Sequence, residues 1–319
     1  MTKPLRVRSP RHGRKRFDEE LNQLLHHKTW EDCNEIPKGV KPIQCRWVFK
    51  TKHEPDGNVR HKARLVVKGY TQRKGLDYQE TYAPVVRADT LRLLLGLSIY
   101  DRDIQVHVMD VVTAFLNGRI KERIYMEVPQ GYKSKAQCVR LLGSLYGLKQ
   151  ALSVWHKTIE SYLIDEMKFK QIKSTSCLYI KRNDHGLFVM IALYVDDISL
   201  AGHSEMIEAT KAMLKERFQM KDLGPITQVV GIEVHHNPKQ GDMFLCQKKY
   251  IESMLRMNGM ENCSTGPTPL PFGSKLTMTP PGQKDRIQLD YRKAVGQLLH
   301  LLSTRPDIHA GRTPLARYP

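Results

Sequence analysis

The fold is decided by residues 187–202, which read LFVMIALYVDDISLAG. The apolar run up to Val195 has the length of one strand and is typical of a strand that is buried on both faces. Asp196 and Asp197 follow this run, and a second apolar segment, residues 198–201, begins directly after them. The pattern predicts a hairpin of two strands that carries two carboxylates at its tip.

A pair of carboxylates is unusual beside so apolar a strand. Two like charges next to a core are costly unless cations bind there. Aspartate is also a common turn residue, however, and this simpler interpretation of Asp196 and Asp197 stays open at this point. The short motif at residues 194–197 therefore suggests a metal site without establishing one.

A third carboxylate follows another predicted strand. Residues 104–108 alternate between apolar and polar side chains and lead through Met109 to Asp110. If folding brings Asp110 beside the hairpin, the three side chains supply the oxygen ligands that two Mg²⁺ ions need for displacement at a phosphate. Spacing alone does not show that residues 110 and 196 are neighbours. Taken alone, the carboxylates also fit a two-metal nuclease or phosphatase.

The chain carries a strong positive charge. Its 319 residues include 51 Lys and Arg against 33 Asp and Glu, which gives a formal net charge of +18 at pH 7. Such a charge attracts a polyanion and holds it through counterion release, so nucleic acid is the leading partner class. An anionic membrane surface is the weaker alternative, because the basic residues are spread along the whole chain. Residues 1–16, rich in Arg and nearly without apolar side chains, are predicted to form a basic disordered tail.

The six cysteines and the adjacent histidines give no zinc signature. No Cys-x-x-Cys pair occurs, and the cysteines are predicted to be buried thiols in a reducing compartment. The side chains of His235 and His236 diverge on a strand, so the pair is not predicted to bind a metal. No apolar stretch approaches the roughly 20 residues that span a bilayer, so we expect no membrane interaction.

The remaining patterns mix helices and strands. Apolar residues recur at helical spacing in segments 17–25, 91–95, 155–163, 207–218, 250–255 and 291–302, and further strand patterns cover residues 46–50, 65–67 and 177–180. The lack of regular β-α-β alternation favours an α+β fold with an antiparallel sheet. Residues 264–282 are rich in Pro, Gly, Ser and Thr and are predicted to be a linker.

A series of sequence blocks in a fixed order carries a family resemblance. The blocks are RWVFK at 46–50, KARLVVKG at 62–69, MDV at 109–111, AFLNG at 114–118, SLYGLKQA at 144–151, YVDD at 194–197 and RPDI at 305–308. Together they resemble the reverse transcriptase domain of copia-type LTR retrotransposon polyproteins. The resemblance runs nearly from end to end of the chain, and the ordered blocks are far more specific than any one of them.

The resemblance implies a polymerase site. Asp110, Asp196 and Asp197 correspond to the catalytic aspartates that bind two Mg²⁺ ions, with Mn²⁺ as the alternative. A primer 3′-hydroxyl would then attack the α-phosphate of a dNTP opposite an RNA or DNA template. The other implied contacts are to nucleotide or template (Lys62, Arg64, Lys68, Phe115, Tyr146, Gly147, Lys149, Gln150 and Tyr194) and to the primer, at the primer grip (Val230 and Gly231).

Two of these implied roles have a simpler alternative. Phe115 corresponds to the aromatic residue that excludes a ribonucleotide 2′-hydroxyl, but an aromatic side chain in the core would give the same pattern. Lys62, Arg64 and Lys68 correspond to the segment that binds the triphosphate, but the solvated face of a strand would also carry alternating basic residues. The sequence leaves both alternatives open.

The resemblance also implies a right-hand polymerase fold. We expect fingers at residues 17–88 and 119–149, a palm with an antiparallel sheet at 89–118 and 150–236, and a helical thumb with the truncated start of a connection at 237–319. Only eleven residues follow Ile308, so an RNase H domain is not expected. The expected location is the cytoplasm, in a virus-like particle for an active element, with the nucleus as the alternative; the oligomeric state stays open.

Two segments depart from the family pattern, and one of them, residues 228–231, lacks the usual Phe-Leu before Gly231. The other bears on the template pocket. Leu152 and Ser153 stand where the family usually has Pro and Arg. A proline removes a backbone donor and an arginine can bind phosphate, so both differences bear on the template pocket. They support a second hypothesis, namely a catalytically inactive or domesticated protein that still binds nucleic acid.

Overall fold

The structure is a computed structural model, and it describes residues 10–53, 59–237, 240–270 and 290–309. The helices are α1 (Pro10–His26), α2 (Ala88–Tyr100), α3 (Ala151–Ser161), α4 (Ser204–Arg217), α5 (Lys248–Met257) and α6 (Tyr291–Leu301). The strands are β1 (Trp30–Cys33), β2 (Cys45–His53), β3 (Val59–Val67), β4 (Ile104–Val111), β5 (Arg119–Met126), β6 (Cys138–Gly143), β7 (Lys170–Gln171), β8 (Leu178–Arg182), β9 (Phe188–Tyr194), β10 (Asp197–His203), β11 (Met220–Pro225), β12 (Gln228–Val229), β13 (Ile232–Asn237) and β14 (Asp242–Cys246).

A six-stranded sheet carries the predicted hairpin. Its strand order is β11-β4-β10-β9-β8-β7, and β9 pairs antiparallel with β10. The five middle residues of β9, from Val189 to Leu193, are all buried, as the continuous apolar run predicted. The hairpin and the antiparallel, mixed helix and strand architecture are therefore confirmed.

Three smaller sheets complete the strand pairing. Their orders are β1-β6-β5, β2-β3 and β12-β13-β14. The basic segment predicted around residues 62–68 lies in β3, which pairs with β2 over the whole of its length. Leu65 and Val67 of β3 are buried while Lys62 is exposed, because successive side chains of a strand point to opposite faces.

The chain divides into two compact units. The first contains the described residues up to Val86 together with His107–Leu223, and the second contains Arg87–Val106 and the described residues from Gly224 onward. In the first unit, α1, β3, β5 and β6 share a core whose fully buried members include Leu24, Leu65, Met126 and Val139. In the second, α2 contributes the buried Leu94 and Leu95.

The prediction of a disordered tail over residues 1–16 is wrong for residues 10–16. These residues form the first turns of α1, which continues to His26. Arg16 Nη1 lies 2.6 Å from Glu19 Oε2, an i, i+3 ion pair that helps to extend the helix beyond its apolar part. Residues 1–9 lie outside the described residues.

Other predictions are confirmed or corrected residue by residue. All six cysteines are free, but only Cys138 and Cys177 are buried; Cys263 is exposed because it lies in the loop after α5. The predicted linker is described only over residues 264–270, which form neither helix nor strand, and the rest of it lies outside the described residues. Within the described ranges, no helix combines the length and apolar character needed to cross a membrane.

Candidate active site

Asp196 lies in a two-residue turn between β9 and β10. Tyr194 pairs with Asp197 across the hairpin, so only Val195 and Asp196 connect the strands. Val195 has φ of 59°, a left-handed conformation that is costly for a β-branched residue and that is typically retained at functional sites. The turn is held by a hydrogen bond of 2.7 Å from the indole Nε1 of the buried Trp155 to the Val195 carbonyl.

Asp110 joins this turn through the neighbouring strand. β4 lies next to β10 in the sheet, and Val111 N donates a hydrogen bond of 2.9 Å to the Asp196 carbonyl. This backbone contact places the residue before Val111 beside the hairpin tip, so the structure brings together the three aspartates that the sequence singled out. On the side toward β11, Lys221 Nζ lies 3.8 Å from Asp110 Oδ2.

The surroundings of Asp197 disfavour its charged form. Burial, together with the negative charges of Asp196 and Asp110, raises the pKa of Asp197 to about 6. A bound cation would offset both the burial of Asp197 and its repulsion by the neighbouring charges, and a ligand set made only of carboxylate oxygens suits a hard divalent cation. The residues present therefore fit a divalent metal site.

A pocket of about 140 Å³ opens beside the carboxylates. Its lining includes Asp110 and Asp196 on one side and Lys62, Tyr146 and residues of α1 on the other. The pocket therefore lies between negative groups, which can bind a metal, and a basic strand, which can bind phosphate. A metal-bound, phosphorylated ligand is the chemistry that this combination favours.

Aromatic and basic side chains cluster at the same pocket. The Arg64 guanidinium lies 4.7 Å from the centroid of the Tyr146 ring, and Phe115 meets that ring edge-on at 5.0 Å between centroids. Burial raises the pKa of Tyr146, so its hydroxyl stays protonated at neutral pH. The predicted residues Arg64, Phe115 and Tyr146 are therefore one group in the structure.

The family of the chain follows from a comparison with known proteins. Residues 27–271 match the family described as reverse transcriptase (RNA-dependent DNA polymerase). The chain belongs to the reverse transcriptase family. The copia-type resemblance inferred from the sequence blocks is confirmed.

The relatives of this reverse transcriptase chain are much longer polyproteins. It is 38% identical over 305 residues to the retrovirus-related Pol polyprotein from transposon TNT 1-94 of Nicotiana tabacum, covering 92% of this chain and 23% of the polyprotein. It is 34% identical over 310 residues to that from transposon RE2 of Arabidopsis thaliana, covering 96% and 21%. It is 31% identical over 311 residues to the transposon Ty1-H Gag-Pol polyprotein of Saccharomyces cerevisiae, covering 90% and 16%. The chain spans less than a quarter of these relatives.

Three predicted contact residues of the reverse transcriptase have other partners in the structure. Gln150 is buried, its side chain donating to the Asp77 carbonyl at 2.9 Å and accepting from Gln72 at 3.0 Å. Lys149 bonds to Gln72 through both its backbone N and its Nζ, and Lys68 Nζ donates to Gln44 Oε1 at 2.7 Å. The contacts of Gln150 and Lys149 hold the segment at residues 144–151 against the loop after β3.

The remaining predicted residues lie in different places. Tyr194 is half-buried at the end of β9, directly before the turn. Gly147 has φ of 93° and packs against the backbone of β3 at Val67. Val230 and Gly231 belong to the second unit, where both have positive φ and form the tight turn between β12 and β13.

The sequence did not predict the part that α1 takes in this site. Glu20 is buried, and burial raises the pKa of its carboxyl while the nearby Lys62 and Arg64 oppose the rise. The sequence does indicate that Glu20 lies on the inward face of the helix, because Glu20 falls at helical spacing with Phe17 and Leu24. Lys221, the neighbour of Asp110, had no such signal.

Asp197→Asn is expected to stabilise the chelator-treated protein at pH 7.5 by about 1 kcal/mol, after discounting for solvent screening of a half-exposed group. In the folded protein, Asp197 keeps its proton up to a pH of about 6. In the unfolded protein, a carboxyl with the ordinary pKa of 3.8 loses its proton at a lower pH. Ionisation therefore opposes folding, and stability is lost as the pH rises between these values. The measurement is the melting temperature from pH 4 to 8.

The matched control for this prediction is Asp184→Asn, which removes an exposed charge from the turn between β8 and β9. It should leave the melting temperature within a degree or so of the wild type, because isolated surface charges contribute little. An Asp197→Asn melting temperature at or below that of wild type at pH 7.5 would contradict the prediction. So would a stabilisation that is equally large at pH 4.

Proposed function

We propose that the chain is an RNA-directed DNA polymerase domain that extends a primer with dNTPs. The observation that carries the proposal is the convergence of Asp110, Asp196 and Asp197 on one hairpin tip, where burial and the charges of the other two aspartates raise the pKa of Asp197. Membership of the reverse transcriptase family supports the same activity. In the reaction, the primer 3′-oxygen forms a bond to the α-phosphorus and the bond to the departing pyrophosphate breaks.

The three aspartates would hold two divalent cations, Mg²⁺ or alternatively Mn²⁺. When bound, the cations supply charge stabilisation at the attacking and leaving oxygens of the displacement. The chain's own contribution is to keep the carboxylates at fixed positions. Two hydrogen bonds to backbone carbonyls, from the Trp155 indole to Val195 and from the Val111 N–H to Asp196, hold the turn before any ligand arrives.

Basic residues opposite the carboxylates would bind the triphosphate. Lys62 lines the pocket, and Arg64 is held over the ring of Tyr146, which lines it too. Cations here neutralise the charge that collects on a leaving pyrophosphate. Lys68, Gly147, Lys149, Gln150 and Tyr194 would support the nucleotide and template by shaping the segments around the pocket, and Val230 and Gly231 would hold the primer.

The proposal includes the division of the chain into fingers, palm and thumb. Fingers at residues 17–88 and 119–149, a palm at 89–118 and 150–236, and a thumb beyond 237 are consistent with the position of the aspartates in the six-stranded sheet. The proposed partners are an RNA or DNA template with its primer, and dNTPs. The proposed location is the cytoplasm, with a virus-like particle as the setting in an active element and the nucleus as the alternative.

The deciding experiment is primer extension on an RNA template with dNTPs and Mg²⁺, beside the same reaction with excess chelator. Template binding is measured separately by fluorescence anisotropy. Extension that requires both dNTP and divalent cation is the expected result. A primer that becomes shorter would instead support a nuclease, and the absence of both changes under saturating template binding would overturn the polymerase proposal.

A second candidate function is nucleic-acid binding without turnover. It is favoured by Ser153, which is 3% exposed in the first turns of α3 where the family usually has Arg. A buried serine cannot replace the phosphate contact of an arginine. The neighbouring Leu152 weighs less, because the backbone donors of the first helical turn have no partner within the helix even without a proline. Tight template binding without extension is the outcome that would select this function.

Phe115→Val is expected to raise ribonucleotide insertion relative to deoxynucleotide insertion by about tenfold or more. The half-buried Phe115 ring is fixed edge-on against Tyr146, so its removal opens space that a 2′-hydroxyl can occupy. The measurement is kcat/KM for matched rNTP and dNTP insertion. Leu116→Val, a truncation of the buried neighbour, is the control and should lower stability without changing the ratio. An unchanged ratio in Phe115→Val would assign the ring to core packing alone.

A further inference from the structure

A second group of potential metal ligands lies in the second unit, on the β13–β14 hairpin. Glu233 faces Cys246 directly across the two strands, and His235 lies two residues further along β13 on the same face. Cys246 Sγ is 3.6 Å from His235 Nε2, and this nitrogen is 4.0 Å from Glu233 Oε2. Throughout the ranges the structure describes, this is the one group of three His, Cys, Asp or Glu residues whose donor atoms all lie within 4.8 Å of one another.

The sulfur–nitrogen distance matches that of a tetrahedral zinc site. With Zn–S of about 2.3 Å and Zn–N of about 2.0 Å, a tetrahedral angle places the sulfur and the nitrogen about 3.5 Å apart. The observed separation of 3.6 Å between Cys246 Sγ and His235 Nε2 needs almost no adjustment. The carboxylate must approach the nitrogen by only about 0.6 Å, because the corresponding N–O separation in a zinc site is about 3.4 Å.

Glu233 is oriented toward this point by the backbone of the next helix. Lys249 N, in the first turn of α5, donates a hydrogen bond of 3.1 Å to Glu233 Oε1. The second oxygen, Oε2, is the one directed toward His235. A thiol hydrogen-bonded to an imidazole would account for Cys246 and His235 alone, but it does not account for a carboxylate held against the same nitrogen.

The group is also accessible. The His235 side chain is 61% exposed and that of Glu233 is 17% exposed, so an ion can enter from solvent and a water molecule can complete the coordination. Sulfur, nitrogen and oxygen donors together select zinc over magnesium, whose sites are built from oxygen alone. The group therefore differs in chemistry from the three aspartates.

We propose that Glu233, His235 and Cys246 bind one Zn²⁺ ion, with a fourth coordination position open to water. The ion would connect the β13–β14 hairpin to the start of α5 through Glu233, and so stabilise this part of the second unit. The inference goes beyond the proposed polymerase function and does not depend on it. Its consequence is that the chain holds a thiolate-bound metal in addition to any metal used in catalysis.

The test is titration of the reduced, chelator-treated full chain with Co²⁺ alone, followed by displacement with Zn²⁺. Thiolate bound to Co²⁺ gives a near-ultraviolet charge-transfer absorption, which should saturate at one equivalent and disappear as Zn²⁺ is added. Zn²⁺ should also raise the melting temperature, because it binds the folded state. No nucleotide or template is present, so failure here is distinguishable from failure of the polymerase proposal.

Matched variants identify the ligands. Cys246→Ser should abolish the charge-transfer band. His235→Asn should weaken Co²⁺ binding at least about 100-fold, because removal of a residue that only supports a metal ligand already costs up to about 100-fold. The controls are Cys263→Ser, an exposed thiol after α5, and His236→Asn, the next residue on the opposite face of β13. Both should bind as the wild type does. Because the His235 side chain is largely exposed, its variant should keep the wild-type circular dichroism spectrum.

Three results would overturn the proposal. They are the absence of a thiolate band in the wild type, a band that survives Cys246→Ser, and equal loss of binding in the variants and the controls. If Cys246→Ser does not fold, His235→Asn decides the question, since unchanged affinity in that variant excludes the site.

Discussion

Asp110→Asn is expected to reduce primer extension at least about 1,000-fold, a loss of about 4 kcal/mol in transition-state stabilisation. The backbone bond between Val111 and Asp196 places Asp110 beside the hairpin tip, where its carboxylate would bind the cation together with Asp196 and Asp197. An amide at this position keeps the shape of the side chain but removes the charge that attracts a divalent cation. Asp196→Asn should give a loss of the same order. The measurement is kcat/KM for single-nucleotide insertion on an RNA template.

The control for these variants is Asp184→Asn, at the exposed turn on the other end of β9. It should keep wild-type activity. Template affinity should stay within about threefold of wild type in all three variants, since the basic strands and not the aspartates attract the phosphates. Extension by Asp110→Asn within tenfold of wild type would exclude Asp110 as a metal ligand.

Gly147→Ala is expected to destabilise the protein by at least about 2 kcal/mol, enough to lower its soluble yield. Gly147 has φ of 93°, a conformation that side chains rarely adopt. A Cβ at this position would also overlap the Val67 carbonyl oxygen of β3, and that backbone cannot retreat because Val67 N is bonded to the Tyr146 carbonyl. Chemical denaturation of wild type and variant measures the difference.

Gly96→Ala is the matched control for this substitution. Gly96 lies inside α2, where an added Cβ meets no other atom within 4 Å. Alanine is the better helix former by about 1 kcal/mol, so this variant should be slightly more stable than wild type. A Gly147→Ala protein as stable as wild type would show that the segment at residues 144–151 can move away from β3.

The sequence predicted those parts of the site that depend on local pattern. A continuous apolar run that is followed by two aspartates can form only a few structures. The strands β9 and β10 and the turn between them follow the prediction closely. Asp110 was predicted as a strand-end residue, and it lies one residue before the end of β4. Its proximity to the hairpin was a hypothesis, which the hydrogen bond between β4 and the turn supports.

The parts that depend on tertiary contacts could not be predicted in the same way. Helical spacing placed Glu20 on the inward face of α1, but nothing local in the sequence indicates that this face lines the pocket or that Lys221 lies beside Asp110. Gln150 is a different case, because the family resemblance implied contact with a ligand while its environment gives it Gln72 and Asp77 as partners. Burial, which sequence spacing does not reveal, decides between these two roles.

The group of Glu233, His235 and Cys246 also depends on a tertiary contact that the sequence does not reveal. Zinc sites are recognised in sequences by short, regular spacings, and the nearest cysteine lies eleven residues after His235. The register of β13 against β14 brings the three side chains to one face. A one-residue shift in that register would move the Cys246 side chain to the opposite face.

The raised pKa of Asp197 has a consequence for how copies of this gene change over time. Ionised Asp197 lowers folding stability. Where the proposed cation binding and DNA synthesis no longer operate, a copy should gain stability from a neutral replacement at that position. Selection for a folded but inactive product should therefore remove Asp197 early. Among related genomic copies, those that have lost only this carboxylate should encode proteins that still fold but do not synthesise DNA.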